Sequence, residues 1–186
     1  MSTISTERSF RAIETLYRGC RFRSRLEARW AVFFQTLGIR WCYEPEGFVL
    51  STGEWYLPDF LIHLKDGSLW VEIKPAGIPA LLFEQFVRDI RQPGTILHEI
   101  PDPESIQAEG FANEDYCFLV EDGGDVYYQF CICNSCGGVG FKFEGRSARI
   151  RCGCNKHGSD RDHTADHPRI LSALTAARSA RFETGA

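Results

Sequence analysis

Two apolar runs, Phe60-Leu61-Ile62 and Leu69-Trp70-Val71, flank Lys65-Asp66-Gly67, and a turn signal between strand-like segments commits the middle of the chain to an antiparallel hairpin. That hairpin carries a concentrated polar load. Leu57-Pro58-Asp59-Phe60 reads as part of its first strand and Val71-Glu72-Ile73-Lys74 as the end of its second. Side chains at i and i+2 share a strand face, so Glu72 and Lys74 project together while Val71 and Ile73 face the other way. Asp59 needs only to lie across the hairpin for two carboxylates and one ammonium group to converge at a sheet edge. Hard oxygen ligands of this kind hold Mg²⁺ through one or two carboxylates while the ion keeps several waters. The ion acidifies a water and neutralises charge on a phosphate, and a lysine beside it orients that water. An exposed hairpin with a surface ion pair among Asp59, Glu72 and Lys74 would present the same short motif, so the flanking sequence has to decide.

Upstream, Arg25 to Leu37 has helical periodicity, with Leu26, Trp30, Phe33 and Leu37 on one face and Gly38 as the stop. Ser24 is the N-cap and Glu27 the third helical position, the arrangement of a capping box. At about 100° per residue Glu27 falls at the margin of the apolar stripe, next to whatever sheet the helix packs on. Two roles are open to it: partner of Ser24, or third carboxylate of the hairpin cluster.

With Trp41-Cys42-Tyr43-Glu44, Tyr56-Leu57-Pro58-Asp59-Phe60, Val71-Glu72-Ile73-Lys74-Pro75, a helix over about 79–92 and a strand at Thr95-Ile96-Leu97-His98-Glu99-Ile100, residues 17–100 resemble the PD-(D/E)XK, or restriction-endonuclease-like, nuclease superfamily in order as well as in motif. Arg23-Ser24-Arg25-Leu26-Glu27 together with the Asp59 and Glu72 segments looks most like the endonuclease subunit of Tn7-type transposases and small phage-encoded nucleases; the rest of the chain does not match that transposase subunit. The resemblance implies a mixed central sheet flanked by helices. It implies that Glu27, Asp59, Glu72 and the carbonyl of Ile73 bind Mg²⁺ or Mn²⁺, that Lys74 assists the attacking water, and that cleavage leaves a 5′-phosphate and a 3′-hydroxyl.

The net charge of −4 hides a division along the chain. Residues 1–40 hold eight arginines against three glutamates, residues 93–130 hold nine acids and no Lys or Arg, and residues 131–186 are again basic. Arg18, Arg21, Arg23, Arg25 and Arg29 crowd the start of the first helix, and such a cluster beside a candidate nuclease site suits a phosphate backbone even on an acidic protein. A solvated helix face is the competing reading for each arginine singly. The acidic stretch around Pro101-Asp102-Pro103-Glu104 reads as a solvated connection.

Eight cysteines and no signal-peptide core at the N-terminus point to a cytoplasmic chain that uses thiols for metal or core rather than disulfides, and no stretch approaches the roughly 20 apolar residues of a membrane span. Cys133-Asn134-Ser135-Cys136-Gly137 is a zinc-knuckle pattern, and Cys152-Gly153-Cys154 follows Cys136 after fifteen intervening residues. Cys133, Cys136, Cys152 and Cys154 form the expected structural Zn²⁺ site, with Cys131 or His157 as alternatives for one ligand. Between the pairs, Val139 to Phe143 and Ala148 to Ile150 would form a hairpin, giving a ribbon too small to fold without metal. Cys20, Cys42 and Cys117 read as core residues.

Pro168 opens a last helix to about Phe182, with Ile170, Leu171, Leu174, Ala177 and Phe182 on its packing side and Arg169, Arg178 and Arg181 on a basic flank. The sequence is therefore expected to hold an α/β nuclease core with an acidic connecting segment over 1–128, a zinc ribbon over 129–157, and a polar loop and helix over 158–186. The expected activity is that of a Mg²⁺- or Mn²⁺-dependent endonuclease acting on DNA, of phage or mobile-element type. A homodimer or an accessory protein is compatible with it. Two alternatives remain: a nucleic-acid- or partner-binding protein of the same fold without turnover, and a resolvase or repair nuclease for branched DNA.

Overall fold

A computed structural model describes residues 12–109, 117–121, 124–143, 147–154 and 163–182, with side chains left undescribed at 107–109, 117–121, 124–128, 142–143 and 147–149. His157 lies outside the described residues, as does the side chain of Cys117. The chain opens with a small hairpin of β1 (Thr15–Tyr17) and β2 (Cys20–Phe22), turning at Arg18 and Gly19, both left-handed.

Helix α1 (Arg25–Leu37) follows. The Ser24 side chain caps its N-terminus by accepting from the Glu27 N–H, and Gly38 at φ 74° ends it with its N–H on the Gln35 and Phe34 carbonyls. Both ends are thus satisfied as the sequence requires. After β3 (Arg40–Tyr43), the short pair β4 (Phe48–Val49) and β5 (Trp55–Tyr56) forms its own two-stranded sheet. The central hairpin is β6 (Phe60–Leu64) with β7 (Gly67–Ile73), antiparallel with Phe60 opposite Val71. Asp59 sits one residue before β6 rather than within it, after Pro58, which has no N–H to donate to a ladder. The Asp59 carbonyl still accepts from the Glu44 N–H at 2.8 Å.

Helix α2 (Leu81–Ile90) returns the chain to β8 (Gly94–Leu97), which pairs in parallel with β7, the one parallel pair among the described strands. The acidic connection is not a plain solvated linker: it holds α3 (Pro103–Glu109) and β9 (Cys117–Glu121), and β9 pairs with β8. Strand β10 (Gly124–Cys133) crosses the expected 128/129 boundary, and β11 (Val139–Phe143), β12 (Ser147–Ile150) and β13 (His163–Thr164) follow. A mixed sheet of nine strands results, in the order β12-β11-β10-β9-β8-β7-β6-β3, with β13 on β10. The cysteine hairpin is thus continuous with the main sheet.

Alternation along the central strands divides two cores. Phe60, Ile62, Leu69, Val71, Ile73, Leu97, Phe130, Ile132 and Phe141 face α1 and the last helix, α4 (Pro168–Ser179). Trp70 and Ile96 face the other way, against Phe83, Phe86 and Val87 of α2 and against Leu50 and Tyr56 of the β4–β5 region. Helices cover both faces of the sheet. α4 packs on α1, its N-terminus capped by the His167 ring, which accepts from the Arg169 N–H at 3.1 Å. Its basic flank is largely structural: Arg169 donates to the carbonyls of Gly137 and Leu37, and Arg178 to that of Ile100. No helix is long and apolar enough to cross a membrane among the described residues.

Candidate functional site

The end of the β6–β7 hairpin gathers side chains from three directions. Glu72 lies on the α2 side of β7, Glu27 reaches from the first turn of α1, and Asp59 enters from the loop before β6. Their exposures are 3%, 7% and 2%, so three acids are held out of water, which is costly unless each is compensated.

The compensation is donor by donor. Asp59 Oδ2 accepts from the Ile73 N–H at 2.7 Å, and Oδ1 meets Arg23 Nη2 at 2.5 Å. Glu72 Oε1 meets Lys74 Nζ at 2.8 Å, and Oε2 accepts from the Tyr56 hydroxyl at 2.5 Å. Glu27 Oε1 accepts from Ser24 Oγ at 2.7 Å, and Oε2 from the Tyr43 hydroxyl at 2.6 Å and the Arg23 N–H at 3.1 Å. Glu72 and Lys74 thus project together, as i and i+2 on a strand must.

Burial, then the charges of Glu72 and Glu27, push the Asp59 carboxyl well above the ordinary carboxylate range against the pull of Ile73 N–H and Arg23. Burial alone would lower the Lys74 pKa, but the Glu72 charge and hydrogen bond outweigh it and raise it. Lys74 therefore holds its proton. Burial and the neighbouring carboxylates raise both phenols too, Tyr43 beside Glu27 and Tyr56 beside Glu72, so both remain donors. A cavity of about 230 Å³ opens beside Glu72, Lys74 and Tyr56 and is walled by 79–83 at the start of α2.

Arg23 stands apart from the other arginines of its cluster. Arg18, Arg21 and Arg25 are exposed, Arg21 pairing with Glu14 at 3.1 Å, and Arg29 is half-buried. Arg23, also exposed, instead directs its guanidinium onto buried Asp59 and onto Glu44, 2.7 Å from its Nε. Sequence reasoning gave no role to Tyr43, Glu44 or Tyr56. Tyr43 ends β3, Glu44 follows it and Tyr56 ends β5, so their proximity depends on long-range pairing that no local pattern encodes.

At the other end of the sheet, Cys133, Cys136, Cys152 and Cys154 bring their sulfurs within 4.8 Å of one another, a group that could hold a metal ion such as zinc. Among the described residues the acids do not close into such a group. A thiolate tetrahedron with Zn–S of about 2.3 Å has edges of about 3.8 Å. Cys133 and Cys154 lie 3.7 Å apart and Cys152 and Cys154 3.3 Å. The knuckle is tight: Gly137 N–H donates to Cys133 O at 2.8 Å, and a Cβ on Gly138 would stand 2.9 Å from Cys152 Cβ. Only glycine lets the two cysteine pairs approach there. Burial chiefly pushes the Cys152 thiol up to about 12. Cys131 is buried outside the group. Cys42, expected in the core, is exposed on β3, and Cys20 is partly buried.

No family model, curated protein or solved structure matches this chain.

Proposed function

We propose that the chain is a Mg²⁺- or Mn²⁺-dependent endonuclease with a restriction-endonuclease-like core, acting on DNA. The observation that carries this reading is the placement of two buried carboxylates, Asp59 and Glu72, with Lys74 paired to Glu72 (Nζ to Oε1 2.8 Å) beside an open cavity. The donor set fits a hard divalent ion. Two carboxylates and the Ile73 carbonyl leave room for the waters that Mg²⁺ retains, and the crowding that raises Asp59 is relieved by a cation.

Bound there, the ion would activate a water and neutralise charge on the scissile phosphate. Asp59 and Glu72 would hold that ion, each carboxylate fixed by a donor of its own, Ile73 N–H and Tyr56 OH. Lys74 keeps a proton on Nζ, so it orients the attacking water and offers positive charge to the phosphate rather than acting as a base. Glu27, bound to Ser24, Tyr43 and the Arg23 N–H, supports the site electrostatically and ties α1 to it. The four-cysteine group is proposed to hold a structural Zn²⁺, since four thiolates would fill a tetrahedral coordination sphere and leave no open position.

The test is incubation of the purified chain with supercoiled, linear, single-stranded and branched DNA in Mg²⁺, Mn²⁺ or EDTA. Cleavage should require the metal, and Asp59→Ala, Glu72→Ala and Lys74→Ala should each lose about 10²-fold or more in rate with unchanged circular dichroism. Cleavage in EDTA, or full activity in Asp59→Ala, would overturn the reading. One observation favours a second reading, a DNA-binding protein without turnover: Arg23 already neutralises Asp59 Oδ1. Metal-independent DNA binding without cleavage of any substrate would select it.

A further inference from the structure

Arg23 combines two placements that rarely coincide. Its guanidinium lies 2.5 Å from Asp59 Oδ1 and 2.7 Å from Glu44 Oε1, yet its side chain is 56% exposed whereas that of Asp59 is 3% exposed. It therefore stands between a buried carboxylate and solvent, on the approach to a candidate metal ligand. Its backbone is pinned, the N–H shared between Glu27 Oε2 and the Tyr43 hydroxyl at 3.1 Å each, so the guanidinium is presented from a fixed pivot.

Glu44 supplies an independent observation. It is a non-glycine residue at φ 45°, a left-handed conformation that L side chains disfavour. The Glu44 N–H bonds the Asp59 carbonyl at 2.8 Å while its carboxylate meets Arg23. Strain of this kind persists where surrounding structure enforces it and gathers at functional sites. Here it builds a second cradle for the guanidinium, off Asp59. Four carboxylates (Glu27, Glu44, Asp59, Glu72) meet two cations (Arg23, Lys74). One divalent ion held there would neutralise that excess and would weaken the hold of Asp59 on the guanidinium.

We propose that Arg23 is the phosphate-contacting residue of this site: in the free protein it is the counter-ion of Asp59, and when a divalent cation takes Asp59 it exchanges that carboxylate for a phosphodiester oxygen. The planar fork of arginine fits both partners. The exchange rests on the nuclease reading and explains how Arg23 is compatible with it, since the ion pair is a resting state that metal and DNA together undo.

The test reads metal and DNA binding separately. The full-length wild type, Arg23→Ala, Arg23→Gln and Asp59→Ala are titrated with Mn²⁺ alone, with free Mn²⁺ followed by electron paramagnetic resonance. Labelled duplex DNA is then titrated in Ca²⁺ and followed by anisotropy. Removing the competing guanidinium should tighten Mn²⁺ binding about tenfold in Arg23→Ala and weaken DNA binding by a similar factor, while Asp59→Ala should lose the Mn²⁺ site. Arg23→Gln keeps polar bulk without charge and should follow Arg23→Ala, which serves if the alanine variant does not fold. Equal Mn²⁺ affinity in wild type and the Arg23 variants overturns the exchange and leaves the nuclease reading standing. Tighter Mn²⁺ binding with unchanged DNA affinity overturns the phosphate contact. Mn²⁺ binding that is no weaker in Asp59→Ala than in the other three proteins overturns the nuclease reading itself.

Discussion

Burial, followed by the charges of Glu72 and Glu27, raises the Asp59 carboxyl well above its ordinary 3.8, with the Ile73 N–H and Arg23 pulling the other way. A carboxyl raised in the folded state contributes stability fully below its unfolded value, and that contribution is lost as pH rises through the folded value. In the metal-free protein, ionising Asp59 therefore costs stability from about pH 4 upward, and a bound divalent cation reverses the sign. Replacing Glu72 by Gln removes the larger of the two charge contributions while keeping an acceptor for the Tyr56 hydroxyl. Asp59 should then titrate at lower pH than in the wild type, read from its side-chain carbon shift by NMR. A Glu72→Gln protein with Asp59 titrating unchanged or higher would mean that the two carboxylates do not sense each other.

Helix α1 is where local chemistry and the site meet, because Ser24 both caps the helix and donates to Glu27 Oε1. Ser24→Ala should cost about 1 kcal/mol, measured by urea denaturation, and should leave Glu27 held by Tyr43 and the Arg23 N–H alone. Loss of more than about 3 kcal/mol would show that the Ser24–Glu27 pair organises more than one helix end. The helix, its caps and the hairpin were legible in the sequence because each is set by residues within a few positions: Ser24 and Gly38 at the helix ends, apolar runs either side of Lys65-Asp66-Gly67. The strands β9 and β10 were not, because the run of acids around them reads locally as solvated chain, whereas their place is fixed by pairing to β8 and β11. Arg23 was hidden for the same reason. In a run of five arginines nothing local marks the one that turns inward, and its partners Glu44 and Asp59 lie 21 and 36 positions along the chain.

For the molecule as a whole, the consequential fact is that the four-cysteine group does not sit on a separable ribbon. Cys133 ends β10, a strand that pairs with β9, β11 and β13 and sends Phe130 and Ile132 into the main core beneath α1. Arg169 of α4 then bridges the Gly137 carbonyl of the knuckle and the Leu37 carbonyl at the end of α1. A metal in the thiol group binds only the folded arrangement and so stabilises all that is continuous with it. Stripping the metal with a strong chelator should lower Tm by on the order of 10 °C as one cooperative transition in calorimetry. Hydrogen exchange should rise in β10, at the end of α1 and in α4 together. An independent ribbon would behave otherwise, melting in a separate low-temperature transition while the main transition and α1 stayed as they were, and that result would refute the coupling. Arg169→Ala separates the two contributions: it should retain the metal, measured as about one zinc per chain, yet show faster exchange at the C-terminal turn of α1. The bridge lies far along the chain from Glu27, so under the nuclease reading any cleavage should slow only as far as α1 loosens, whereas Cys133→Ser should lose metal and main-core stability at once.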